Sequence, residues 1–261
     1  MDPLMITATP NVCWLQPEVS YPRTAAEFAA ESRRCEEAGA QIIHMHADDW
    51  LTWVPAVRAV TEMVVQCGMS SLPVDERMDI FAAEGDLISI IVSHHDEAFA
   101  EHDFHVLHPR EELARYAELS RESATRLEYE VWHSGSIWNL NWLRERGLID
   151  PPYFTSVFFG WPGGTWSPPT VEEYLYRRRL MPDGCVATVS IMDPAQPTLL
   201  AAAIANGDHI RVGTEDYPFG RDGELRATHE LVAEAAELAR AMGRPLASAA
   251  QARELCGLPA R

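Results

Sequence analysis

Runs of β-branched and apolar residues alternate along the whole chain with stretches of helical periodicity, and this alternation constrains the fold more than any other feature. The expected strands are Met5–Val12, Gln41–Ala47, Met63–Cys67, Leu87–Ser93, Leu127–Trp132, Phe154–Gly160, Val186–Ile191 and His209–Thr214. Helical patterns over Thr24–Ala38, Asp75–Ala83, Arg110–Ser120, Ser136–Arg146, Val171–Leu180, Pro197–Ala205 and Arg226–Met242 fill most of the gaps. The last is the clearest, with Leu231, Ala235, Leu238 and Met242 on one stripe and Gly243 as its stop. Strands separated by helices pair in parallel, and eight βα units in 261 residues close most naturally into an α/β TIM (β/α)8 barrel, expected as one domain over residues 1–261. A short extra C-terminal helix, about Ser248–Cys256, is expected on the outside of that barrel.

Catalytic residues of such a barrel sit at the carboxyl ends of its strands. Two strings fall there: Ile43-His44-Met45-His46 on the second strand, and Arg211-Val212-Gly213-Thr214-Glu215-Asp216 on the eighth. Alternate strand residues share a face, so His44 and His46 point one way together, as do Arg211, Gly213 and Glu215, with Asp216 at the strand end. Closure leaves only the first strand between the two strings, a gap of roughly 10 Å that inward side chains can bridge. Two imidazoles and a carboxylate without a thiolate form the ligand set of a catalytic zinc or similar divalent ion with an open position. His44, His46 and Glu215 are therefore the candidate metal ligands. All 21 basic residues are arginines, so Schiff-base chemistry and a carboxylated-lysine bridge are both excluded. Carbonyl activation must come from a Lewis acid or from hydrogen-bond donors.

A formal charge of −18 argues against a nucleic-acid partner, which needs clustered positive charge. The five cysteines are scattered and odd in number, pointing to a reducing cytoplasm rather than a disulfide scaffold. No apolar stretch is long enough to span a bilayer, so no membrane partner is expected. The Gly- and Pro-rich segment Gly160–Pro169 reads as an active-site loop after the sixth strand. Trp14, Trp50, Trp53, Trp161 and Trp166 fall mostly in expected loops at strand ends, as in an aromatic-walled pocket. His94-His95-Asp96-Glu97 reads equally as a pocket wall or a solvated loop, and His102, His105 and His108 as surface residues.

The string Gly207–Asp216, the tail pattern Gly243–Glu254, His44-Met45-His46 and Glu128-Tyr129-Glu130-Val131 together resemble the β-keto acid cleavage enzymes, also called 3-keto-5-aminohexanoate cleavage enzymes. The resemblance implies a zinc-dependent, retro-Claisen-like exchange in which a β-keto acid and acetyl-CoA become acetoacetate and a new acyl-CoA. It places His44, His46 and Glu215 on the metal, Asp216 as general base, and Arg211 and Glu130 as the residues that position it. It also implies a homo-oligomer, a dimer or tetramer. Departures gather around the substrate: Trp14 stands where the amine-binding member has a glutamate, and Cys67-Gly68-Met69-Ser70-Ser71 replaces a Pro-Ser-Thr-Gly-Gly string. His94 takes the place of a threonine, and Ser190-Ile191-Met192-Asp193 lacks the usual Gly-Arg turn. Trp14, Ser70, Ser71 and His94 are accordingly the candidate substrate-binding residues, in a pocket altered from the aminohexanoate pattern.

Two other readings compete. An amidohydrolase-like metal hydrolase also uses His-x-His in a barrel, but on the first strand with further histidines on the fifth and sixth; here only His133 fits. A non-catalytic keto-acid sensor would keep the metal triad and consume no acetyl-CoA.

Overall fold

The computed structural model describes residues 2–16, 19–99 and 102–261. In chain order the elements are β1 (Ile6–Ala8), α1 (Ala25–Ala38), β2 (Ile42–Met45), α2 (Trp50–Arg58), β3 (Val64–Cys67), a 3-10 turn at Val74–Arg77 leading into α3 (Met78–Ala82), and β4 (Leu87–Ile91). There follow β5 (His95–Phe99), β6 (His102–Val106), α4 (Arg110–Glu122), β7 (Arg126–Val131), α5 (Ser134–Glu145), β8 (Tyr153–Phe159) and α6 (Val171–Leu180). The chain ends with β9 (Cys185–Ile191), α7 (Gln196–Asn206), β10 (His209–Val212), α8 (Thr228–Ala241) and α9 (Ala249–Leu255).

Parallel pairing in the order β1, β10, β9, β8, β7, β4, β3, β2 closes into a barrel, the expected TIM (β/α)8 architecture. β1 carries the closure, since Thr7 is registered against Ile42 of β2 on one side and Arg211 of β10 on the other. The two strings therefore flank a single strand, as closure requires. Alternation then sorts the side chains. Ile43 and Met45 join the core between strands and helices with Phe28, Trp53 and Val54, while Ile42, one residue out of phase, packs inside the barrel with Met5, Val64, Leu87 and Phe154.

Ala252, Cys256 and Leu258 complete that inner cluster. The final helix thus closes the barrel's amino-terminal end instead of lying on its outside, because the inner apolar layer would otherwise face water. Above this layer the interior turns polar: Gln66, Ser89, Glu128 and Thr188 are all fully buried. Burial, aided by the nearby Glu130 carboxylate, pushes the Glu128 carboxyl up to about 7.

Two elements depart from the expected loops. After β2, Asp49 accepts the Thr52 amide and starts α2, whose Trp50, Trp53, Val54 and Val57 form a buried i, i+3, i+4, i+7 stripe despite Pro55 inside it. Trp50 and Trp53 are therefore core residues, with Trp53 packed 5.5 Å from Phe28, and not pocket walls. After β4, the antiparallel pair β5 and β6 forms a hairpin, with His95 opposite Val106 and Asp96 opposite His105. The loop after β8 clasps it: Ala98 donates to the Pro162 carbonyl at 3.0 Å and the Thr165 amide donates to the Asp96 carbonyl at 3.1 Å. A Cβ on Gly163 would lie 2.5 Å from the Glu97 Cα, so this approach needs glycine.

One buried histidine ties closure to pH. His209 opens β10 and its Nδ1 accepts the Met5 amide of the neighbouring strand entry at 3.0 Å. Burial, with Arg244 close by, pushes its imidazole down to about 4, so it is neutral in the fold. A pKa depressed below the unfolded value contributes stability above pH ~6.5 that is lost as pH falls toward 4, about 3 kcal/mol in all. His209→Asn keeps an acceptor and removes the titration. Denaturant midpoints should show the wild type losing its advantage over this variant between pH 6.5 and 4; a pH-independent difference would rule the coupling out.

Candidate active site and metal centre

His44 lies on β2, His46 immediately beyond it and Glu215 just past β10, all at the carboxyl ends of the strands. Their ligand atoms converge. The two Nε2 atoms are 3.1 Å apart, His44 Nε2 is 3.4 Å from one Glu215 oxygen, and His46 Nε2 is 3.3 Å from the other. Edges of ~3.3 Å are those of a tetrahedral zinc site with bonds of about 2.0–2.1 Å. Burial drives the His44 imidazole well below its usual range, outweighing the Glu215 carboxylate. Burial would raise the Glu215 carboxyl, yet Arg211 and the two imidazoles overcome it and hold the group ionised. A neutral imidazole and an ionised carboxylate are the protonation states a divalent ion requires. One Glu215 oxygen and His44 Nδ1 are buried with no hydrogen-bond partner. The residues present fit a divalent ion.

The backbone holds this triad from two sides. The Asn11 side chain accepts from the His46 amide at 3.1 Å and donates to the His46 carbonyl, so the loop after β1 fixes the second imidazole. Gly213 lets the end of β10 lean on β1, since a Cβ there would lie 2.3 Å from Thr9 Oγ1 and 2.4 Å from the Thr9 carbonyl. Gly68, after β3, would put a Cβ 2.8 Å from His44 Nε2 and 2.9 Å from the His46 ring. Gly68→Ala is expected to splay the imidazoles and weaken divalent-metal affinity by about 10- to 100-fold, the size of effect seen when ligand support is lost. Metal titration by calorimetry measures this, and unchanged affinity would contradict the geometry.

Arg211 organises the other half. Its Nε donates to both oxygens of Asp216 at 3.0 and 3.1 Å, while one terminal nitrogen reaches Asp216 at 2.9 Å and Glu215 at 2.8 Å. Ser190 donates to Asp216 at 3.1 Å. Burial, then the Glu215 charge, raises the Asp216 carboxyl against the pull of Arg211 to about 6. Asp216 lies wholly buried behind Arg211, which faces the cavity. Glu130 also lines the cavity, but its bond is to the Trp132 indole N–H at 2.9 Å, and no hydrogen bond to Asp216 is present among the described residues.

The cavity above the triad has a volume of about 290 Å³. Trp14, Ser70 and Ser71 line it together with His44, His46, Arg211, Glu130 and Glu215. His94 does not: it turns outward, where its Nδ1 accepts the His108 amide at 3.3 Å. The hairpin instead turns His95 and Glu97 inward, paired at 2.9 Å and both buried, with His95 edge-on to Trp132 at 4.3 Å. Burial raises the Glu97 carboxyl despite this partner. Trp132, Phe158 and Trp161 complete an aromatic wall in which Trp132 and Phe158 are stacked at 4.1 Å. Trp166 is more than half exposed and takes no part. His133 faces outward, so the hydrolase-like arrangement of further histidines around the pair is not formed.

A closed parallel barrel whose mouth gathers a metal-competent triad, a buried arginine fork and an aromatic cavity has the architecture of a barrel enzyme with its site at the carboxyl ends of the strands. The sequence matches the β-keto acid cleavage enzyme family over residues 3–258, and the chain belongs to that family. It is 26% identical over 284 residues to a 3-keto-5-aminohexanoate cleavage enzyme of Acetoanaerobium sticklandii, covering 99% of each chain. It is 24% identical over 256 residues to a 3-dehydrocarnitine:acetyl-CoA trimethylamine transferase of Rhizobium meliloti, covering 85% of this chain and 84% of that one. Among solved structures it resembles the fold of apo ObcA at 19% identity with a TM-score of 0.75, covering 91% of this chain and 65% of that protein's length.

Proposed function

We propose that this enzyme exchanges acyl groups between a β-keto acid and acetyl-CoA, giving acetoacetate and a new acyl-CoA. The convergence of His44, His46 and Glu215 under an arginine-lined cavity, in a chain of this family, carries the reading. His44, His46 and Glu215 would hold one divalent ion, with zinc the proposed metal because tetrahedral N and O ligation suits it. When bound, the ion supplies Lewis acidity to the substrate's keto and carboxylate oxygens.

The chain's own residues do the rest. Arg211 keeps one terminal nitrogen out of its bonds to Asp216 and Glu215, and that nitrogen is placed to orient the substrate carboxylate. Asp216 is the proposed base, accepting the C2 proton of the keto acid when the guanidinium swings off one oxygen. The carbanion carbon bonds to the acetyl carbonyl and CoA thiolate departs; the thiolate then attacks the original keto carbonyl, the C2–C3 bond breaks, Asp216 returns its proton to C2, and acetoacetate leaves. Every atom is conserved between the two sides. Ser70, Ser71 and Trp14 flank the substrate, and Glu130 fixes the Trp132 wall.

The relative that acts on dehydrocarnitine takes a cationic keto acid, but here the inward carboxylates Glu97 and Glu130 already have partners, His95 and the Trp132 indole. The aromatic walls favour a compact β-keto acid with an uncharged, largely apolar substituent. We place the enzyme in the cytoplasm, as one domain over 1–261, working as a dimer or tetramer. A panel of β-keto acids with acetyl-CoA, read by mass spectrometry, should show a new acyl-CoA for apolar members ahead of cationic ones. Acid products without CoA consumption would mean a hydrolase, and binding without turnover a sensor.

A further inference from the structure

A second, larger concavity of about 970 Å³ lies outside the catalytic cavity, between α4 and α5. Its floor is a stack of cations on indoles. The Arg110 guanidinium lies 5.3 Å from the Trp138 ring and 5.4 Å from Trp142, and that of Arg146 lies 4.6 Å over Trp142. Among the described residues neither arginine forms an ion pair or a side-chain hydrogen bond. In a chain with 39 acidic and 21 basic residues, two neighbouring arginines bonded to no carboxylate, in a groove lined by a single acidic residue, Glu111, are a positive spot. Cation–π contact holds the two guanidinium groups at the indoles, and their N–H donors are not engaged by carboxylates, so they can serve phosphate oxygens.

Three further observations point to a ligand. Trp138 is 58% exposed, a large flat ring available for stacking by a base. His108 is buried to 4% exposure and lines the groove, yet its Nε2 has no partner, and neither has the indole nitrogen of Trp142. The groove also shares a wall with the catalytic cavity. Beyond β4, Ser93 and His94 face the groove and His95 the cavity; beyond β7, His133 faces the groove and Trp132 the cavity. A ligand lying across that rim would have a small reactive end over the triad and a polyanionic, aromatic end on the stacked arginines.

We propose that this groove binds the adenosine 3′,5′-bisphosphate end of coenzyme A, with adenine against Trp138 and phosphates on Arg110 and Arg146, while the pantetheine arm crosses the rim to the triad. This assignment rests on the acyl-exchange reading above. It also accounts for how a chain of charge −18 attracts a polyanionic co-substrate: the attraction is local.

The test compares wild type with an Arg110→Ser/Arg146→Ser double variant and with Trp138→Ala, each checked for native circular dichroism. Catalytic efficiency is measured with acetyl-CoA and with S-acetylpantetheine, which lacks the nucleotide, and adenosine 3′,5′-bisphosphate binding is measured by calorimetry. The double variant should lose at least about tenfold more efficiency with acetyl-CoA than with S-acetylpantetheine, through KM, and should lose nucleotide binding; Trp138→Ala should show a smaller effect of the same kind. Equal losses with both thioesters, or wild-type protein that binds no adenosine 3′,5′-bisphosphate, would overturn the assignment while leaving acyl exchange intact. If acetyl-CoA proved not to be a substrate, acyl exchange would fall, and calorimetry on the same three proteins would still decide the groove.

Discussion

Purified His46→Ala protein is expected to carry less than about a tenth of the divalent metal bound by the wild type, and its CoA-dependent turnover should fall on the order of 10³-fold. Its imidazole supplies one of only three ligand atoms, and the other two, on His44 and Glu215, stand 3.4 Å apart with nothing in the described structure to replace it. The fold should survive, because His46 lies beyond the end of β2 and contributes no apolar surface to the core. Asn11→Ala provides the graded control: it removes the clasp on the His46 backbone and keeps the ring, so metal affinity should fall by about 10-fold. Elemental analysis beside a turnover assay measures both. Full metal content in His46→Ala would show that the ion is held elsewhere.

Arg211→Met should be the most destabilising single change in the site. It leaves Glu215 and Asp216, both buried and adjacent, without their shared cation. Removing one member of a buried charge cluster costs about 3–5 kcal/mol, because the remaining charges stay desolvated. For a chain of this size that is a fall in melting temperature of roughly 10 °C. Arg211→Lys restores a charge but not the fork, so it should recover part of the stability and little of the activity. A bound divalent ion neutralises part of the same charge, so adding metal should raise the melting temperature of Arg211→Met. A melting temperature within about 2 °C of wild type would show that Asp216 and Glu215 do not depend on the arginine.

The barrel and the meeting of its two strings were legible for one physical reason: side-chain alternation on a strand is fixed by backbone geometry, so His44 and His46 share a face and closure brings β10 beside them, whereas Glu215 reaches the same point from the turn after β10 and not by alternation. What spacing could not convey was irregular backbone. The hairpin after β4 carries no alternation signal of its own, being full of charged residues, and its pairing depends on a clasp from the distant Gly163-Gly164 turn. The resemblance put His94 in the place of a substrate-binding threonine, whereas the strand direction set by the hairpin turns His95 and Glu97 toward the cavity. Helix α2 was legible in principle, since Trp50, Trp53, Val54 and Val57 keep helical spacing, but the two tryptophans fell where a loop at a strand end was expected. Asn11 carried no sequence signal at all: a lone asparagine after a strand acquires its task only when the first two strand ends meet. Glu130 entered through the resemblance as a residue that positions Asp216, and only the structure shows its bond to Trp132.

Acyl exchange can be tested most directly by following one carbon. Acetyl-CoA labelled at the acetyl carbonyl is incubated with an unlabelled apolar β-keto acid and the metal-loaded enzyme. The account predicts that the label appears in the keto carbon of acetoacetate, and that the new acyl-CoA is unlabelled and formed in equal amount. Label remaining in acetyl-CoA while the keto acid is cleaved, with solvent oxygen entering its products, would contradict it and make the enzyme a hydrolase.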